Sequence, residues 1–107
     1  MGKRQIQKSL KIFAKRAKEK FKAEKIILFG SYAHGQANEY SDVDVVVLSK
    51  NFSKIPKEQR LDALYPLAAD LYPDFHPFGF TPSEFAHSSK LSVLSEAKTA
   101  GKVVAFS

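Results

Sequence analysis

The chain has 107 residues, 44% of them hydrophobic, no cysteine, and a formal net charge of +6. That length supports one domain over 1–107 with a modest core, and the hydrophobic content argues against disorder. Disulfides and thiolate metal sites are excluded, no apolar run nears the roughly 20 residues of a membrane span, and the basic N-terminus lacks the apolar stretch of a signal peptide. The expectation is a cytoplasmic protein with no membrane attachment.

The charge is unevenly placed. Residues 1–25 hold ten Lys or Arg against Glu19 and Glu24, a net +8, whereas residues 26–107 hold seven basic and nine acidic residues, a net −2. A basic N-terminal segment suits an acidic partner, a phosphate-bearing ligand or nucleic acid, or is simply a solvated face.

Ile6, Leu10, Phe13, Ala14, Ala17 and Phe21 recur at spacings of three and four, which predicts a helix over about 5–22 with its Lys and Arg on the outer face. Ile26 to Phe29 is a short apolar run stopped by Gly30, read as a buried strand. Ser31 to Gly35 reads as the first turn of a helix or a tight loop, and GQANEYS (35–41) as a polar loop. Val43 to Leu48, rich in β-branched residues, reads as a second strand, and 49–56 as a loop.

Leu61, Leu64, Tyr65, Ala68 and Leu71 follow helical spacing, but Pro66 predicts a kink or two short helices. DFHPFGF (74–80) reads as a third strand in which Pro77 asks for an edge or irregular position. Thr81-Pro82-Ser83-Glu84 reads as a helix start, with Thr as N-cap, Pro first and Glu third. A last helix over 90–100 ends at Gly101, and Val103 to Phe106 closes the chain as a short strand. The order predicts an α/β (α+β) domain, a small mixed sheet flanked by helices.

The chemistry concentrates in ILFGSYAHGQANEYSDVDVVVL, residues 27–48. In a strand, residues i and i+2 share a face, so Asp42 and Asp44 point together with Cα atoms about 6.5 Å apart. Burying two carboxylates is costly unless something neutralises them. A divalent cation does so, and hard oxygen ligands favour Mg²⁺ or Mn²⁺. Gly30-Ser31 offers backbone N–H groups that an anion can approach closely, with the Ser31 hydroxyl as a further donor. A phosphate seat beside metal-ready carboxylates describes a site for a nucleoside triphosphate with its metal. Each half alone is more often a turn or a solvated loop; the joint pattern is the specific signal. Three His and no Cys do not support a zinc site, and no GxSxG elbow is present.

This stretch resembles the signature of the minimal nucleotidyltransferase (MNT) family of the DNA polymerase β-like superfamily, a hydrophobic residue and Gly-[Gly/Ser] followed by Asp-x-Asp, often written around GSYARG and SD-[IV]-D. TPSEF after a strand also resembles that family. The resemblance implies a nucleotidyltransferase-like fold, Gly30 and Ser31 on the triphosphate of ATP or another nucleotide, and Asp42 and Asp44 on Mg²⁺. It also implies a third carboxylate on a neighbouring strand, for which Asp74 is the candidate; a shift of two residues would bring His76 there instead. The family often has Arg where this chain has His34.

The implied reaction moves a nucleoside monophosphate, AMP if the substrate is ATP, to a hydroxyl with release of pyrophosphate. Larger superfamily members carry extra domains for the acceptor, for which this length leaves little room. Similar small members resemble the antitoxin half of a two-gene module whose partner is a HEPN-domain ribonuclease, with AMP transferred to a partner Tyr. Two other readings stand beside it: a binding module that neutralises its partner by contact, and a nucleic-acid-binding domain. The last is weakened because Phe13 and Phe21 fall on the apolar face rather than among the Lys residues. A homo-oligomer stays open.

Overall fold

The computed structural model describes residues 3–38, 40–88 and 94–104. Helix α1 (Lys3–Phe21) leads into strand β1 (Lys25–Phe29) and strand β2 (Val43–Leu48). A 3₁₀ turn (Lys50–Lys54), helix α2 (Lys57–Leu64) and a second 3₁₀ turn (Tyr65–Leu67) precede strand β3 (Phe75–Phe80). Helix α3 (Pro82–Ala86), helix α4 (Leu94–Ala100) and strand β4 (Lys102–Val104) complete the chain.

The four strands form one mixed sheet in the order β3-β2-β1-β4. β1 pairs antiparallel with β2 and with β4, whereas β2 and β3 run parallel. The β2–β3 pair needs a crossover, which α2 and its flanking turns provide. Alternation along β2 divides the core in two. Val43, Val45 and Val47 join Leu10, Phe13 and Ala17 of α1 with Phe52 and Leu64 on one face. Val46 and Leu48 join Ile27, Phe29 and Ala97 on the other, with Phe85 packed alongside. Val43, Val45, Val46 and Val47 have no solvent exposure, and each fully buried aliphatic side chain is worth about 1.5–3 kcal/mol.

Most expected elements are present. Pro66 does divide the second helix, which continues as the 3₁₀ turn at Tyr65–Leu67. Pro77 lies on an edge strand, where a missing donor is tolerated. Thr81 caps α3 through a capping box: its hydroxyl accepts from Glu84 N and the Glu84 carboxylate accepts from Thr81 N. One expectation changes and one is decided between its alternatives. The loop at 49–56 contains a 3₁₀ turn, because Ser49 caps it by accepting from Asn51 N. Of the helix turn or tight loop expected at Ser31 to Gly35, the structure has the loop, a run of consecutive turns with Ala33 N donating to Gly30 O and Gln36 N to Ser31 O. Left-handed φ angles at Gly30 (76°) and Gly35 (70°) are incompatible with helical continuation there. Residues 90–93 and 105–106 of the expected last helix and strand lie outside the described residues.

Two tethers hold the frame around the sheet. The Phe21 carbonyl at the end of α1 accepts from Ser49 Oγ and from Asn51 Nδ2, which satisfies an otherwise orphaned helix terminus. Arg60 is 4% exposed. It donates to the carbonyls of Phe52, Ile55 and Gly79 and to both Glu84 carboxylate oxygens, at 2.6 and 3.2 Å. One guanidinium thereby joins the 3₁₀ turn, edge strand β3 and α3.

Candidate active site

The site forms where β1 ends and β2 begins. Antiparallel pairing sets Phe29 opposite Asp44, so Gly30 follows immediately beside the Asp44 carboxylate. A β-carbon built on Gly30 would lie 2.4 Å from Asp44 Oδ2, closer than two non-bonded heavy atoms can approach. Only glycine fits here, both for that approach and for the positive φ. The Gly30 turn and a half-buried carboxylate are thus brought together at one point.

Asp42 is exposed, one residue ahead of β2, while Asp44 is half-buried within it. Burial pushes the Asp44 carboxyl above the usual range; His76 pulls it back, and the charges of Asp42 and Glu96 raise it further. The net direction is up, so negative charge here is under-compensated by the protein. Burial also pushes the Tyr32 phenol up, with Tyr72 and Asp42 adding to the effect.

The parallel register places His76 level with Asp44, with Nδ1 4.0 Å from Asp44 Oδ1. Asp74 is exposed and immediately precedes β3; its carbonyl accepts from Val43 N at 2.8 Å. Asp42 and Asp74 therefore hold equivalent positions in the strand register, each one residue ahead of the paired Val43 and Phe75. A groove of about 160 Å³ includes His76 in its lining, together with Lys57 and Leu61 of α2 and Pro77, Phe78 and Phe80 of β3.

Glu96, on α4, is a site residue that the sequence reading did not single out. Its two carboxylate oxygens each accept from Gly30 N at 3.2 Å, and Oε1 lies 2.7 Å from His34 Nε2. Gly30 and Glu96 are 66 residues apart, and no local spacing connects them.

The family model for the nucleotidyltransferase domain matches residues 10–99. The chain belongs to that family. The nucleotidyltransferase domain is 38% identical over 74 residues to the protein adenylyltransferase MntA of Thermococcus cleftensis, covering 63% of this chain and 72% of that one. It is 46% identical over 56 residues to a Methanocaldococcus jannaschii protein named "putative protein adenylyltransferase", covering 50% of this chain and 38% of the relative. The chain thus spans well under half of that relative's length. In fold the domain is similar to a crystal structure titled "putative nucleotidyltransferase" from Sulfolobus solfataricus, with a TM-score of 0.65 at 16% identity, over 96% of this chain and 87% of that one. The mixed α/β architecture expected from the sequence is the observed one. Among the described residues no helix is long and apolar enough to cross a membrane.

Proposed function

We propose that this domain transfers AMP from ATP to a hydroxyl group on an acceptor protein, releasing pyrophosphate. The observation that carries the reading is the close approach of the Gly30 backbone to the Asp44 carboxylate at the joined ends of β1 and β2. The names of the relatives, protein adenylyltransferases, support AMP as the group and a protein as the acceptor.

The residues suit a hard divalent cation. Among the described residues no cluster of three or more His, Cys, Asp or Glu is arranged to hold a metal by itself. Mg²⁺, however, is commonly held by one or two carboxylates with substrate phosphates supplying further oxygens. Asp42 and Asp44 are that pair, and the raised Asp44 carboxyl is the mark of uncompensated charge. Bound there, Mg²⁺ or Mn²⁺ would neutralise charge on the phosphates and on the departing pyrophosphate. Asp74, beside Asp42 at the strand entrance, is the third carboxylate of this reading.

The protein's own part is positioning. Gly30 N and the Ser31 hydroxyl face the triphosphate. The acceptor hydroxyl attacks the α-phosphorus, a P–O bond forms to the acceptor, the bond from the α-phosphorus to the α–β bridging oxygen breaks so that this oxygen leaves with pyrophosphate, and the hydroxyl proton passes to solvent water. The groove beside His76 is the open side for the acceptor. A Tyr of a HEPN-domain partner, disarmed by AMP in an antitoxin role, fits this chemistry as the acceptor.

His76, rather than a carboxylate, level with Asp44 favours a second reading, in which the chain neutralises its partner by contact and the nucleotide site has little turnover. Intact-mass spectrometry after incubation with Mg²⁺–ATP, with and without the protein encoded beside it, separates the two. An AMP adduct on the neighbour, absent with Asp44→Ala, is the expected result. A stable complex that never acquires an adduct would turn the assignment to the contact reading.

A further inference from the structure

We infer that Glu96 is an internal occupant of the phosphate seat at Gly30, and that an incoming triphosphate must displace its carboxylate. The inference rests on the nucleotide reading above and extends it to a residue from a different part of the chain.

The contact is that of an anion with its binding site. Both Glu96 oxygens lie 3.2 Å from Gly30 N, the donor assigned to the triphosphate, and Oε1 lies 2.7 Å from His34 Nε2. A backbone N–H satisfied by a carboxylate has no second proton to offer a phosphate. The two anions also repel if both are held at one place. Its hydrogen bonds to Gly30 N, the residue that abuts the Asp44 carboxylate, put Glu96 beside the site.

The arrangement can open without unfolding the helix. The Glu96 and His34 side chains are 39% and 38% exposed, so solvent and ligand reach the pair. Beyond Glu96 the α4 backbone is pinned: Ala97 is 2% exposed in the core with Ile27. A β-carbon on Gly101 would lie 2.4 Å from both Ala97 O and Ile27 Cγ2, which shows how closely the end of α4 meets β1. Rotation of the Glu96 side chain therefore clears Gly30 N while α4 stays in place. The same rotation frees His34 from its partner, in the position where the resembling family often has Arg.

The test is titration calorimetry on the full chain, comparing wild type, Glu96→Ala and Glu96→Gln, with thermal melts to establish folding. Inorganic tripolyphosphate with Mg²⁺ is the first probe and Mg²⁺–ATP the second. Removing the competing carboxylate should tighten tripolyphosphate binding about tenfold in Glu96→Ala, with Glu96→Gln between it and wild type. Unchanged affinity overturns the inference. Weaker affinity overturns it too, because it makes Glu96 a contributor to binding, as a metal ligand would be. If Glu96→Ala does not fold, the direction seen with Glu96→Gln decides. Tightened tripolyphosphate binding without any ATP binding upholds the seat and removes the adenylyl-transfer reading. AMP transfer with affinities indifferent to Glu96 does the reverse.

Discussion

The Gly30 α-carbon faces the Asp44 carboxylate so closely that no side chain fits between them: a β-carbon would sit 2.4 Å from Oδ2. Gly30→Ala therefore has to move Asp44 or the turn, and it also places a β-carbon on a residue at φ 76°. A non-glycine residue held in a sparsely populated conformation costs about 1–3 kcal/mol. The expected outcome is a stability loss of that order in urea unfolding, together with loss of Mg²⁺–ATP binding. A variant with wild-type stability and affinity would show that the approach is not required.

Asp44 is a carboxylate the fold holds at a cost. Burial raises its carboxyl above the usual range, so the protonated form is favoured in the folded chain and the ionised form present at neutral pH is penalised. Asp44→Asn removes that penalty, and the free protein is expected to become more stable by up to about 1 kcal/mol at pH 7. If Asp44 holds Mg²⁺, added Mg²⁺ raises the melting temperature of wild type by mass action and leaves Asp44→Asn unmoved. Transfer activity is lost in the same variant. Melts with and without Mg²⁺ read both effects, and a less stable Asp44→Asn chain would contradict the first.

How much of this was legible in the sequence follows from where the determining contacts lie. Pro66, Pro77 and the Thr81–Glu84 capping box act over one to three residues, and each did in the structure what its local chemistry requires. Gly30 and Asp44 were also readable, since a strand-ending glycine and an Asp-x-Asp pair are visible in one short segment. The pairing register was not. Whether Asp74 or His76 stands level with Asp44 depends on how two parallel strands slide, and alternation alone permits steps of two residues. Glu96 was beyond reach altogether, because its meeting with Gly30 N is set by the packing of α4 on β1 rather than by any spacing. Of the two readings of Ser31 to Gly35, a first helical turn or a tight loop, the structure has the loop, for a local reason, the positive φ angles at Gly30 and Gly35.

Arg60–Glu84 and Arg16–Asp70 look alike as ion pairs, at 2.6 and 2.7 Å, yet they differ in what surrounds them. Arg60 is 5% exposed in its side chain and Glu84 26%, against 37% and 66% for Arg16 and Asp70. Removing Glu84 leaves a buried guanidinium short of its counter-charge and takes away half of the α3 capping box, so Glu84→Ala is expected to cost about 3 kcal/mol. Asp70→Ala leaves Arg16 in solvent, still donating to the Leu67 carbonyl, and is expected to cost under about 1 kcal/mol. Urea denaturation of both variants tests the ordering; equal losses would mean that burial does not separate the pairs.

Glu84 also gives the fold a pH dependence whose sign can be worked out. The Arg60 guanidinium, with a smaller contribution from the Thr81 N–H, brings its carboxyl down to about 2 from an ordinary value of 4.5. A carboxyl whose folded value is depressed contributes stability that is fully present above its unfolded value and is lost as pH falls through the folded one. The contribution is therefore intact above about pH 5 and disappears between there and about pH 2. Glu84→Gln has no such group to protonate. Its stability should start lower at pH 7 and fall less steeply, so that the two curves converge toward pH 2. Melting temperatures at half-unit steps from pH 7 to pH 2 check this, and parallel curves for the two proteins would show that the acid sensitivity arises from other carboxylates.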